Sequence, residues 1–176
     1  MQASTQDSHD VSTMLERMVT DLATLLSTRQ ISDPVMIGIH TGGVWIAQAL
    51  HQALEIKQPL GSLNISFYRD DFTQVGMHPQ VEPSSLPFSV DGQHIILVDD
   101  VLHTGRTIRA ALNEIFDYGR PASVILACLI ERSGKELPIA ADVAAEHMDL
   151  LAAQHIKLTG PEPLVLELTP AKQANK

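Results

Sequence analysis

The chain has 176 residues, 44% of them hydrophobic, and a formal net charge of −9. That length suits one domain with a real core, and the composition argues against a disordered chain. The single cysteine, Cys128, excludes a disulfide framework within the chain, no apolar run approaches the length of a membrane span, and the acidic balance works against nucleic acid through the whole-molecule field. The start, "MQASTQDSHD", has neither a basic n-region nor an apolar h-region, so no signal peptide is expected and the reading is a cytoplasmic protein.

Residues 1–9 and 170–176 read as flexible ends around a single domain over 10–169. Val11, Met14, Leu15, Met18, Val19, Leu22, Leu25 and Leu26 form a helical stripe of core or dimer-contact type. "SDP" at Ser32–Pro34 stops the chain. "VMIGI" (Val35–Ile39) predicts a buried strand, "HTGG" (His40–Gly43) a turn, and "VWIAQALHQALEI" a helix. "SLNISFYRDD" predicts a second strand with Leu63, Ile65 and Phe67 on one face. Residues 69–91, with Pro79, Pro83 and Pro87, read as a long functional loop. "HIILV" is a third strand, Thr107–Tyr118 a helix ended by Gly119 and Pro121, and "SVILACLI" a fourth strand. A short strand is expected near Ala141–Val143, then two more, "HIKL" and "LVLEL", around the turn "TGPEP". Strands alternating with helices predict an α/β fold, with a mainly parallel sheet flanked by helices on both faces. Ligands in such folds sit outside the carboxyl ends of the strands, near the point where the strand order reverses.

The most informative stretch is "HIILVDDVLHTGRT". A buried apolar run delivers Asp99 and Asp100 at a strand's carboxyl end. Adjacent strand residues point to opposite faces, so the two carboxylates are expected to do different jobs. Such groups accept hydrogen bonds from sugar hydroxyls or hold a cation's water shell. Behind them, Thr104, Gly105 and Thr107 offer hydroxyls and a close-approach backbone at a helix start, which favours phosphate. An isolated "DD" is ordinary turn punctuation; the acid pair with a phosphate cup behind it describes a phosphorylated sugar. No P-loop or GxGxxG pattern is present. The chain's 8 histidines lack ligand spacing, which argues against a transition-metal site. Cys128 and Trp45 read as core.

"ILVDDVLHTGRT" resembles the phosphoribosyl-pyrophosphate (PRPP) signature of the type I phosphoribosyltransferases. Within that family the chain resembles the PyrR proteins, pyrimidine operon regulators with uracil phosphoribosyltransferase activity. "GIHTGGVWIA", "SFYRDD", "DYGRP" and "ELPIAAD" carry the resemblance further, over about residues 10–168. It implies the type I fold with a small C-terminal hood at about 132–169. It implies transfer of the phosphoribosyl group of PRPP to uracil, giving UMP and pyrophosphate, without a covalent nucleophile. Asp99 and Asp100 would hold the ribose hydroxyls, His103, Thr104, Gly105, Arg106 and Thr107 would cup the 5-phosphate, and Val101 and Leu102 would also belong to the PRPP site. His40, Thr41, Gly42 and Gly43 would meet pyrophosphate. Arg69 would belong to a closing loop, and Arg132, Ile156 and Lys157 would face the base. Mg²⁺ would be held by substrate and water, with Asp99 and Asp100 as protein ligands, and a homodimer or larger assembly is implied.

Two departures stand out. PyrR proteins usually have a basic residue, Thr, Arg and Gly in the pyrophosphate loop; here Gly42 takes the place of the Arg, removing a bidentate donor. His103 stands where they often carry Tyr. The PyrR proteins bind messenger RNA through a basic surface, yet Arg132, Lys135 and His147 in "ERSGKELPIAADVAAEHM" face Glu131, Glu136, Asp142 and Glu146. That surface is poor in the cations RNA binding draws on. The missing Arg makes a uridine-nucleotide sensor of pyr gene expression, with weak or no catalysis, the alternative to the enzyme, and the poor basic surface counts against an RNA target.

Overall fold

A computed structural model describes residues 10–65 and 83–169. Its elements are α1 (Val11–Thr28), β1 (Val35–Ile39), α2 (Gly42–Ala53), β2 (Gly61–Leu63), β3 (His94–Leu102), α3 (Arg106–Tyr118), β4 (Ser123–Arg132), β5 (Val143–Met148), β6 (His155–Thr159) and β7 (Val165–Thr169).

Five strands form one sheet in the order β2-β1-β3-β4-β5, every neighbouring pair parallel. β1 is buried along its whole length, which is why it reads as an unbroken apolar run and not as an alternation. α1 and α2 cover one face: Met14, Met18, Leu22, Ile46 and Leu50 pack with Met36, Ile96, Val98 and Ile125. α3 covers the other, placing Ile108, Ala111 and Ile115 against Val35, Ile37, Ile95, Leu97 and Cys128. The expected doubly covered parallel sheet is what the chain forms. The α1 stripe and Cys128 are core, as read from the sequence.

Several boundaries differ from expectation. β3 runs on through Asp99 and Asp100 to Leu102, because it keeps pairing with β4 out to Leu102–Glu131. The aspartates therefore belong to a strand and not to the turn after it. The strand expected at Ala141–Val143 is instead β5, pairing with β4 from Val143 onward. Asp142, just before it, turns its carboxylate to the β4 backbone and accepts from Leu126 N at 2.9 Å. Of the predicted strand "SLNISFYRDD", Gly61–Leu63 forms β2; Phe67, Arg69 and most of the expected loop lie outside the described residues.

β6 and β7 form a separate antiparallel hairpin. Leu158 is buried beneath it, and Ile156, Leu164 and Leu166 pack on the α1/α2 side of the core. At its tip, a Cβ on Gly160 would fall 3.0 Å from Cε3 of Trp45. The hairpin therefore sits over the start of α2.

Candidate active site

Strand order reverses between β1 and β3: the chain leaves β1 toward β2 on one side and returns as β3 on the other. A crevice opens beyond the carboxyl ends of these strands, where α/β sheets commonly bind ligands. His40–Gly43 follows β1 and His103–Gly105 follows β3, so both turns face it.

The two helices that begin there share a feature. α2 has Thr41 at its N-cap and α3 has Gly105, and neither N-cap makes a side-chain cap hydrogen bond. α1 differs, with Asp10 accepting from Ser12 N. The first N–H groups of a helix need acceptors and carry partial positive charge. Two helix starts without N-cap side-chain acceptors, converging on one crevice, suit two anionic groups. At α3, Thr104 Oγ1 accepts from Arg106 N at 3.2 Å, at the edge of the turn. Gly105 has φ 93°, a left-handed conformation suited to glycine.

The glycines at the start of α2 bring it against the aspartates. A Cβ on Gly43 would fall 2.6 Å from Val98 O and 3.0 Å from Asp99 Cα. One on Gly42 would fall 2.3 Å from Asp100 Oδ2. Both glycines belong to the helix's first turn, not to the turn before it, as the sequence had suggested. Asp99 is 2% exposed and Asp100 half-buried. Their carboxylates accept from the next backbone N–H, Asp99 Oδ1 from Asp100 N and Asp100 Oδ1 from Val101 N, each at 2.9 Å.

A cavity of about 740 Å³ is lined by Asp99, Asp100, Val101, Leu102, His103, Thr104, Gly105, Arg106 and Thr107, together with Arg132, Ile156 and Lys157. The residues expected at the sugar, the phosphate and the base thus border one space. His40 and Thr41 line a neighbouring cavity of about 400 Å³ with Trp45, Gln48 and Pro161; the His40–Thr41 peptide is cis. Gly42 joins the two regions through Asp100. Arg69 lies outside the described residues. Trp45 is partly buried against the core and also borders the smaller cavity.

Ile108 and His155 line the larger cavity too. His155 opens a short strand with no motif around it, so the sequence held no signal for it. Arg132 is 5% exposed. Its Nη1 donates to Gln154 O at 3.0 Å and its Nη2 to Leu151 O at 3.4 Å, while Nε–H is buried with no acceptor among the described residues. Burial holds its guanidinium below the usual arginine range. His103 is held below the ordinary histidine value by partial desolvation and then by Arg132, with Glu136 opposing. The Cys128 thiol is pushed far up by burial and then by Asp99, which keeps it an inert core group.

The segment after β4 braces the phosphate turn. Glu136 N and Leu137 N both donate to Thr104 O at 3.0 Å, Arg106 Nε pairs with Glu136 at 2.9 Å, and Leu137 and Ile139 lie over Gly105. "ELPI" is thus a support for the cup. Among the described residues no group of three or more histidine, cysteine, aspartate or glutamate side chains is arranged to hold a metal ion. Asp99 and Asp100 are hard oxygen donors of the kind that share Mg²⁺ with substrate phosphates and water.

The phosphoribosyl transferase domain model matches residues 12–149. The chain is 59% identical over 157 residues to the bifunctional protein PyrR of Nitrosococcus oceani, covering 88% of this chain and 89% of that one. It is 60% identical over 155 residues to the bifunctional protein PyrR of Pseudomonas syringae pv. tomato, covering 88% and 91%. In fold it is similar to a hypoxanthine-guanine phosphoribosyltransferase of Bacillus anthracis, with TM-score 0.65 and 14% identity over 82% of this chain and 84% of that one. It is likewise similar to a hypoxanthine phosphoribosyl transferase of Trypanosoma cruzi, with TM-score 0.63 and 19% identity over 87% and 84%. With the strand-end aspartates, the two facing helix starts and the match over most of its length, the chain belongs to the type I phosphoribosyltransferase family and, within it, to the PyrR-type proteins.

Proposed function

We propose that this protein is a cytoplasmic, homo-oligomeric uracil phosphoribosyltransferase, with a regulatory role in pyrimidine metabolism. The observation that carries the reading is the single cavity bordered by the acid pair, the α3 helix start and the Arg132–Lys157 end. On this reading phosphate would lie at His103–Thr107, the ribose hydroxyls at Asp99 and Asp100, and the base at Arg132, Ile156 and Lys157, all of which line that cavity. Pyrophosphate would lie toward His40–Gly43 and the start of α2.

In the reaction the bond from ribose C1 to pyrophosphate breaks and a bond from C1 to uracil N1 forms. The N1 proton is released, and the electron pair of the broken bond leaves with pyrophosphate. Positive charge develops on the ribose, and the nearby carboxylates oppose its cost. Mg²⁺, when bound, would neutralise charge on the departing pyrophosphate, with Asp99 and Asp100 as the protein oxygens suited to its water shell. Arg69 and the loop around it would exclude water that otherwise hydrolyses PRPP.

A second reading is a uridine-nucleotide sensor with weak catalysis. Gly42 favours it, because a helix start without the family's usual Arg offers pyrophosphate one fewer bidentate donor.

Pyrophosphate release from PRPP with Mg²⁺ separates the two, comparing uracil with hypoxanthine, adenine, guanine and no base. Turnover with uracil alone, abolished by Asp99→Asn with Asp100→Asn, is the expected result. Binding of UMP without turnover establishes the sensor, and turnover with a purine overturns the uracil assignment.

A further inference from the structure

His155–Lys157 borders the cavity, yet little apolar packing holds the chain leading into it. Residues 149–154 form neither helix nor strand, and Leu151 is 74% exposed. Polar bonds from the end of β4 hold the segment instead. Ser133 Oγ donates to Leu150 O at 3.2 Å and accepts from Leu150 N at 3.1 Å. Ser133 N donates to Met148 O at 2.9 Å. Next to it, Arg132 reaches Leu151 O and Gln154 O. Gln154 closes the turn on itself, its Oε1 accepting from Leu151 N at 2.8 Å and its N donating to Leu151 O at 2.9 Å.

The far side of the hairpin is anchored separately, by buried Leu158 and by Gly160 on Trp45. Arg132 and Ser133 therefore set the 150–154 turn that feeds β6, while Ile156 also packs on the core and pairs with β7. Arg132 also borders the cavity, so its removal would mix two effects. Ser133 does not line that cavity, and its hydroxyl serves Leu150 alone among the bonds described.

We propose that Ser133 is a positioning residue for base discrimination: its hydroxyl fixes the 150–154 turn and, through it, the backbone of Ile156 and Lys157 against the base. This rests on the uracil reading above. The bonds of the hydroxyl go to Leu150 and not to the phosphate turn, which Glu136 and Leu137 brace through Thr104 O while Gly134 lies against His103.

The test compares UMP with ribose 5-phosphate by calorimetry, in the full-length wild type, Ser133→Ala and Ser133→Thr. The two ligands differ by the base, so their ratio reads the base end alone. Ser133→Ala should weaken UMP by about five- to tenfold, the scale of one or two lost hydrogen bonds, and ribose 5-phosphate by less than about twofold. In steady state it should raise KM for uracil by a similar factor, with kcat and KM for PRPP held. Ser133→Thr, which keeps the hydroxyl, should restore wild-type values. Equal losses for both ligands, unchanged UMP binding, or a threonine variant that behaves like alanine overturns the proposal. A wild type that binds UMP no better than ribose 5-phosphate overturns the uracil reading itself, and the role of Ser133 with it.

Discussion

At single positions, the site depends on what two adjacent glycines exclude. At Gly43 the obstacles to a side chain are Val98 O and Asp99 Cα, backbone atoms inside a five-stranded sheet. They have nowhere to move, so Gly43→Ala should destabilise the fold by about 1–3 kcal/mol through overpacking, read as a fall in the urea midpoint. At Gly42 the obstacle is the end of the Asp100 side chain, which can rotate. Gly42→Ala should keep nearly wild-type stability while raising KM for PRPP by about tenfold, since one displaced charged contact is worth about 1.5 kcal/mol or more. A reversal of these two phenotypes would mean that the aspartate is not held for the ribose. His103 makes a pH-dependent prediction. Partial desolvation, aided by Arg132, holds its proton affinity below the ordinary value of 6.5. The unfolded chain therefore binds the proton more tightly. The resulting penalty on folding is absent well above pH 6.5, grows as the pH falls through that value, and is complete below the folded-state pKa. A bound phosphate would reverse the trend by favouring the imidazolium. Proton NMR titration should give a midpoint below 6.5 in the free protein and a higher one with ribose 5-phosphate.

Among the elements, the junction of β4 and β5 shows a side chain standing in for a strand. β5 begins at Val143, yet Asp142 N donates to Leu126 O at 2.8 Å and Asp142 Oδ2 accepts from Leu126 N. The same carboxylate takes Arg29 Nη2 at 2.8 Å, tying the end of α1 to the sheet. Asp142→Ala leaves the Leu126 N–H without that acceptor and should cost about 1–3 kcal/mol; Asp142→Asn, which keeps an acceptor, should cost less. Equal thermal midpoints for the alanine variant and the wild type would count against this bridging role. The bridge also explains why the sequence misplaced a strand here. "AADV" contains apolar residues at the right density, but pairing through a carboxylate leaves no mark in periodicity. Buried runs such as "VMIGI" and "HIILV" were legible because a sheet covered on both faces demands continuous apolar sequence. Asp99 and Asp100 were legible as adjacent residues at a strand's carboxyl end, though the run of β3 past them to Leu102 was not, since two charges ordinarily punctuate a turn. What brought Arg132, Ile156 and Lys157 beside them in the sequence reading was the family resemblance. Their closeness in space comes from the way the β6–β7 hairpin folds back over α2, a tertiary arrangement that no local pattern encodes.

For the whole molecule, the strand order and the charge set different limits. The reversal between β1 and β3 places both helix starts at one crevice, so anionic ligands are drawn there by local dipoles despite a net charge of −9. An extended polyanion needs more: cations spread over a surface and free to meet phosphates. Here Arg17 donates to Ala145 O, Arg29 pairs with Asp142, Arg106 with Glu136 and Lys135 with buried Glu131, while Arg132 is itself buried. Each would have to give up a protein acceptor to reach RNA. Affinity for structured RNA depends on how many phosphates are neutralised, and so does its loss with salt. A protein with six to ten such contacts loses about 10³–10⁵ in affinity between about 50 and 200 mM salt. Of the described cations only Lys57, Arg109, Arg120 and Lys157 stand exposed outside these pairings, so this protein should lose about a hundredfold or less over that range, with weak binding throughout, when a structured hairpin RNA is titrated in the presence of UMP. A steep slope with tight binding would show instead that copies of the chain assemble a basic surface that a single chain lacks, and would move the regulatory contact from the isolated domain to the oligomer.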